Sequence, residues 1–332
     1  MGSAHSRPVA TRDGEKVVRK LLAALLLAAS SAAIGQSPAG VLRIIVPFGP
    51  GGVQDTLARA VSVELAAQLG RTIIVENRAG AGGTVGTASV AKGPADGSAQ
   101  ILAGSNHFIS GALYSKLPYD ALRDFTGIAH IGTVDSVLIV NADLPVKSVA
   151  EFISHAKANP GKLNYSSAGS GSVAHLAFAH FADLASIQVA HIPFKTAGEA
   201  LQEVLAGRAH AVIAANISAM PYVKEPRVRM LGVTGMKRSR FLPDLPTIAE
   251  TVPNYAFDSW MGLIGPAATP RATVDQVNSA VAVLLRDPTI LSRLNRQGIE
   301  PQALTPEAFN DILRADAARM ERVVKSSGAR IE

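Results

Sequence analysis

The chain contains no cysteine. That removes disulfides, cysteine nucleophiles and thiolate metal sites together, and it permits an oxidising compartment without requiring one. Tryptophan occurs once and aromatic residues make up only 5% of the sequence, so there is little from which to build the aromatic-basic stripe of a nucleic-acid binder. Charged residues are few, at 17%. Half of the formal charge of +6 sits in the first twenty residues, where Arg7, Arg12, Lys16, Arg19 and Lys20 face only Asp13 and Glu15. Short basic tracts such as residues 236–240 read as solvated loop charge. Neither a Walker lysine motif nor H-E-x-x-H is present, so nucleotide hydrolysis and zinc peptidase chemistry have no support.

What is present is an Ala/Val/Leu-rich chain of 332 residues, 48% hydrophobic. This composition suits an α/β protein and argues against disorder. The length favours two domains. Residues 1–35 read as a cleaved secretory signal peptide: Lys16, Arg19 and Lys20 precede an uncharged apolar stretch at 21–35, and Ala33 and Gly35 place the mature start near Gln36. The stretch is short for a transmembrane span; a membrane anchor or a buried helix is the competing reading.

Downstream, residues 42–46 form a continuous apolar run, as in a buried parallel strand. PFGPGGVQDTLAR follows at 47–59. Gly51 and Gly52 free the backbone to turn, Asp55 and Thr56 sit at the mouth of a helix, and helical spacing continues to Gly70, a C-cap. Strand, glycine turn and helix point free N–H groups at an anion. A second strand at 72–77 runs into Gly80, Gly82, Gly83 and Gly86, a second candidate anion nest, and a third strand is expected at 99–106. This βαβαβ order implies a parallel sheet with functional loops at its C-terminal strand ends. After a polar connection at 114–125, a strand at 136–145 leaves toward a second unit, and Ser148 and Glu151 open a capped helix. Residues 163–184 repeat the opening chemistry: a strand, then Ser166, Ser167, Gly169, Ser170, Gly171 and Ser172, then a helix from Val173. Further strands are expected at 209–221, ending near Asn216, at 228–235, and at 257–270 around Trp260. Helices at 271–285, 288–297 and 305–327 are expected to pack back on the first unit.

RIIVPFGPGGVQDTLAR, VENRAGAGGTVGTASVAK, LPYD, NPGKLNYSSAGSGSVAHL, HIPFK, LPTIAE and SWMGL resemble, in order and spacing, the Bug-type periplasmic solute receptors of tripartite tricarboxylate transporters. The resemblance runs from about Arg43 to the C-terminus. It implies a type II periplasmic-binding-protein-like α/β fold, with lobe 1 at 41–140 plus 259–332, lobe 2 at 141–258, two crossings acting as a hinge, and a ligand cleft between them. It also implies a small organic acid as ligand, an integral-membrane permease as recipient, and neither cofactor, metal nor catalytic residue. No nucleic acid is expected as a partner, and the chain is expected to act as a monomer. Phe194, Thr196, Ser98 and the KEPRVRM turn depart from the family's usual residues and touch specificity and local packing.

Carried over position by position, the resemblance makes Phe48, Gly51, Gly52 and Asp55 the first ligand loop. Ser166, Ser167, Gly169, Gly171, Ser172 and His175 become the facing loop, and Gly104, Ser105, Asn106 and Asn216 the floor. Each has a structural alternative: turn formation for the glycines, a helix N-terminal role for Asp55 and Ser172, core packing for Phe48 and Trp260, a buried structural role for His175, and a solvated loop role for Lys195. One exposed helix mouth is worth about 0.3–1 kcal/mol and a charge-assisted hydrogen bond about 1.5–3 kcal/mol. Micromolar affinity needs about 8 kcal/mol net, so two facing mouths that close on the ligand are expected.

Other classes fare less well. Gly49 to Gln54 begins like a dinucleotide fingerprint with Glu76 as the ribose acid, but Gln54 replaces the third glycine and Pro50 intrudes. Ser170 lacks the glycines of a nucleophile elbow, which would stand at Ala168 and Ser172. A receptor that signals to a membrane kinase keeps the same fold with a different output.

Overall fold

The apolar run Leu42–Val46 forms strand β1, buried at every position except Arg43. The computed structural model describes residues 40–329, so the expected signal peptide lies outside the described residues. Helix α1 (Val53–Leu69) follows the glycine turn and ends at Gly70, whose φ of 60° lets its N–H reach back to the Ala66 carbonyl. Next come β2 (Ile73–Asn77), α2 (Thr84–Ala91), β3 (Ala99–Gly104), α3 (Asn106–Leu113) and β4 (Phe125–Val134).

The chain then builds a separate sheet from β5 (Ser136–Asn141), α4 (Val149–Ala158), β6 (Asn164–Ser167), α5 (Val173–Ala185), β7 (Ala190–Pro193), α6 (Ala197–Leu205), β8 (Ala211–Ala215), the short α7 (Asn216–Ala219) and β9 (Val228–Val233). It returns as β10 (Ser259–Pro266), α8 (Arg271–Leu284), α9 (Pro288–Arg296), β11 (Ile299–Pro301) and α10 (Pro306–Ser327).

The first sheet has the order β11-β4-β10-β3-β1-β2 and the second β7-β6-β8-β5-β9. Strand β1 runs parallel to β2 and β3, as the βαβαβ pattern implies, but β10 is antiparallel to both β3 and β4, so the sheet is mixed. In the second sheet β6 is parallel to β7 and β8, while β5 is antiparallel to β8 and β9. All of β5 belongs to the second sheet, so the chain changes sheets at Asp135, ahead of the boundary expected at 140.

Helices α1, α8 and α9 cover one face of the first sheet through Leu57, Val61, Leu65, Val277, Val281, Ile290 and Leu294. Helix α10 does more than pack back on the first unit: it touches α3 and β4, and also α5 of the second sheet. Phe108, Trp260, Phe309 and Met320 therefore share one apolar cluster with Phe152, Phe178, Phe181 and Tyr255. Among the described residues no helix is long and apolar enough to cross a membrane.

Carboxylates mark both places where the chain changes sheets. Asp135, only 7% exposed, shares a cavity of about 350 Å³ with Asp258, Glu300, Lys237 and Arg238. Burial, then the charge of Asp258, pushes its pKa up to about 6; Ser239 pulls the other way and Glu300 adds to the rise. Below pH 4 the group is protonated in both folded and unfolded chains and costs nothing. As pH rises from about 4 to about 6 the unfolded chain loses this proton first, so folding stability falls, and above that window the penalty is complete. At about 1.4 kcal/mol per pH unit it amounts to at most about 3 kcal/mol. Asp135→Asn is accordingly expected to melt higher than the parent at pH 7.5, with the difference reduced to a small fraction at pH 4; an equal difference at both pH values in scanning calorimetry would refute this origin.

Candidate functional site

The loop between β1 and α1 is held from beneath. Gly51, at φ +83°, donates its N–H to Asp55 Oδ2 at 2.9 Å. Asp55 Oδ1 accepts from Arg59 Nε at 3.0 Å and Asn77 Nδ2 at 2.9 Å, and Asn77 Nδ2 also reaches the Phe48 carbonyl at 3.1 Å. The Arg59 hydrogen bond holds the Asp55 carboxyl below its usual range against the opposing effect of burial. Asp55 is 4% exposed, and its oxygens are occupied by the loop itself. Both residues were expected to contact the ligand; in this loop the Gly51 N–H and the Asp55 oxygens engage one another, Arg59 and Asn77. Gly52 stands at the N-cap of α1 with no side-chain cap bond, which leaves the mouth of that helix open.

The facing loop is closed by its own side chains. Ser172 Oγ accepts the His175 N–H at 3.2 Å, and His175 Nδ1 accepts the Gly171 N–H at 3.0 Å. His175 stacks on His191 with ring centroids 4.0 Å apart. Burial, then the neighbouring His191, pushes its pKa down to about 4, so at neutral pH it is the uncharged acceptor this bond needs. Ser167 Oγ meets His191 Nε2 at 2.7 Å and accepts the Gly169 N–H at 3.1 Å. Ser166 donates to the Ala200 carbonyl at 2.8 Å. Both serines are fully buried. The serine paired with a histidine is therefore a loop tie, and Ser170, the residue weighed as a nucleophile, is a different one.

Both loops border one cavity of about 510 Å³. Of the expected residues, Phe48, Asn106, Gly171 and Ser172 line it. Gly51 and Gly52 are exposed outside the lining, while Asp55, Ser166, Ser167, Gly169 and His175 shape the loops from behind. Gly104 serves strand packing, since a Cβ there would lie 2.8 Å from the Trp260 carbonyl oxygen, and Ser105 beside it is fully buried. Asn216 lies beside the point where the chain changes sheets: its N–H donates to the Asp135 carbonyl at 2.9 Å and its Nδ2 to the Gly298 carbonyl at 3.0 Å. Of the second glycine nest, Gly82 lines the cavity, while Gly83 and Gly86 permit close packing. A Cβ on Gly83 would stand 3.1 Å from Phe48 Cζ, and one on Gly86 2.8 Å from the Arg78 carbonyl oxygen.

Gln54 and Val173, within the two expected loops, line the cavity too, and Ile109, Ser110, Leu113, Tyr114, Ser259 and Met261 line it without having been expected there. Gln54 Nε2 donates to Asn106 Oδ1 at 3.1 Å, joining α1 to α3. The signal for much of this set lay in Asn106, Ile109, Ser110 and Leu113, whose i, i+3, i+4, i+7 spacing marks one helical face, just where a strand end was expected. Among the described residues no group of histidines and carboxylates is arranged to hold a metal.

Two mixed α/β sheets with a ligand-sized cavity walled by loops from both define a solute-binding protein of the periplasmic type. The chain belongs to the tripartite tricarboxylate transporter receptor family, whose model, described as "Tripartite tricarboxylate transporter family receptor", matches residues 57–329. Protein BugT of Bordetella pertussis is 31% identical over 302 residues, covering 89% of this chain and 91% of its own. Among solved structures, R. palustris Rpa4515 with adipate is 33% identical at a TM-score of 0.74, covering 89% of this chain and all of the other. The periplasmic binding protein BugD is 27% identical at a TM-score of 0.70, with coverage of 89% and 100%.

Proposed function

We propose that the protein is a non-catalytic periplasmic receptor that captures a small carboxylate between two lobes and delivers it to a membrane permease of the tripartite tricarboxylate type. The observation that carries this reading is the cavity of about 510 Å³ bordered jointly by the open mouth of α1 and the α5 loop. An uncapped helix N-terminus offers aligned N–H donors to an anion, and a cavity of this size suits a small ligand. Adipate in a structure one-third identical to this chain adds weight to a carboxylate ligand. The lobes are taken to meet at Asp135 and just before Ser259, with residues 1–35 removed on export and the mature chain acting alone.

A thermal-shift screen of organic acids should identify a ligand that raises the melting temperature by mass action. Solution scattering at saturation with that ligand should then show a smaller radius of gyration as the lobes close. A ligand that saturates without changing the radius would refute closure, and a screen with no stabilising acid would refute the carboxylate receptor itself.

A further inference from the structure

Side chains alternate in direction along both segments that cross between the sheets. Thr133, Asp135 and Asp258 turn into the cavity of about 350 Å³ behind the crossings. Val134, Ser136, Ser259 and Met261 turn the other way, into the ligand cavity of about 510 Å³. Ser136 is 7% exposed and Ser259 9%, yet no described residue hydrogen-bonds to either Oγ. The backbone that carries them is fixed. Thr234 Oγ1 accepts the Ser136 N–H at 2.9 Å, and the Thr234 N–H donates to the Ser136 carbonyl at 2.8 Å. Ser259 pairs with Val134, two residues before Ser136. Both hydroxyls thus open onto one end of the cleft, among Val134, Ala215 and Met261, which offer no polar side chain. A hydroxyl so deeply buried is costly unless something in the cavity bonds to it.

The charges nearby limit what that can be. Asp135 and Asp258 each immediately precede one of the serines, and Glu300 shares their cavity. Of the cations there, Arg238 is engaged by Glu250 at 2.9 and 3.0 Å, and Lys237 is exposed. The field at this end of the cleft therefore opposes an anion. A hydroxyl is neutral and both donates and accepts, as each serine does. Resting on the receptor reading above, we propose that Ser136 and Ser259 form a hydroxyl subsite and make the receptor select hydroxy acids over deoxy acids of the same carbon skeleton. The hydroxyl of the solute donates to one serine and accepts from the other, while its carboxylates are held elsewhere in the cleft. A deoxy acid displaces the water that otherwise serves these serines and returns no hydrogen bond.

Titration calorimetry of the full chain with malate against succinate, and with citrate against tricarballylate, tests this. In each pair the hydroxy acid is expected to bind tighter by about tenfold or more, the loss for a buried hydrogen-bonding group left unpaired. In Ser136→Ala and in Ser259→Ala that ratio should fall to about threefold or less, because alanine removes the unpaired hydroxyl. The deoxy acid should bind these variants no more weakly than the parent, which separates recognition of the hydroxyl from a general disturbance of the cleft. A deoxy acid binding the parent as tightly as its hydroxy counterpart would overturn the subsite and leave the receptor reading intact. An unchanged ratio in both folded variants would overturn the serines as its source. Failure of all four acids to bind would remove the receptor reading together with the proposal.

Discussion

Asp316→Ala is expected to lower the stability of the protein by about 3–5 kcal/mol in urea unfolding, the range for removing one partner of a buried ion pair. Asp316 is 3% exposed. Its Oδ2 accepts the Trp260 indole N–H at 2.7 Å, and its Oδ1 accepts Arg319 Nε at 3.1 Å. Arg319 also donates to the carbonyls of Ala256, at 2.7 Å, and Asp258, at 3.2 Å, and its guanidinium lies 5.2 Å from the Phe257 ring centroid. The carboxylate thus fastens α10 to β10 and to the segment returning from the second sheet. Alanine would strand a buried indole N–H, at about 1–3 kcal/mol for an unsatisfied donor, and leave a partly buried cation with only the Asp258 carboxylate, at 3.6 Å, as counterion. Asp316→Asn retains an acceptor and should fall between alanine and the parent. A loss below about 1 kcal/mol for alanine would show that this cluster is not structural.

Gly171→Val should weaken ligand binding roughly ten- to hundredfold, which corresponds to the ~1–3 kcal/mol of an overpacked contact. Gly171 adopts φ +78°, and a Cβ there would sit 2.5 Å from Leu113 Cδ1. Its missing side chain is what brings the α5 loop against α3 to close the cavity. Leu113 is itself buried, so it cannot swing aside freely. The positive φ adds strain of ~1–2 kcal/mol for any L-residue, but that cost falls on stability in both open and closed forms. Gly161→Val separates the two effects: Gly161 has φ +71° and open space around its absent Cβ. It should lose stability and keep its affinity. Calorimetry with the best acid from the screen provides the measurement, and equal affinity in the Gly171 variant and the parent would remove the loop from the closing surface.

The strand–glycine–helix opening at residues 42–69 was legible because three local signals agree: a Leu/Ile/Val run, a glycine turn, and apolar residues at helical spacing that stop at Gly70. The cap at Ser148 was legible for the same reason, while that at Ser172 was only the alternative to a ligand contact; each accepts the N–H three residues on. Strand β4, FTGIAHIGTV, was not. It is buried on both faces, so it lacks the alternation of a half-exposed strand, and its two glycines weaken the strand signal. Gly127 and Gly132 are there because Phe309 and the Glu300 carbonyl press against them, a reason no local window contains. Helix α3 has no side-chain cap to announce it.

The site divides along the same line. The two loops could be named from their glycines and serines, but the roles within them depend on partners distant in sequence. Asp55 is claimed by Asn77, Ser167 by His191 and Asn216 by Gly298. Those pairings decide which polar groups face the cleft and which are tied down behind it.

The position of β10 in the first sheet constrains the order in which this protein can be assembled. Strands β3 and β4 follow one another in sequence but are not neighbours; β10 lies between them and hydrogen-bonds to both. A nascent chain that has emerged only as far as β9 holds two exposed strand edges and lacks the strand that joins them. The ladder can close only after the entire second sheet has been made, and so distant a pairing slows folding. An incomplete chain is thus open to edge-to-edge aggregation until β10 arrives.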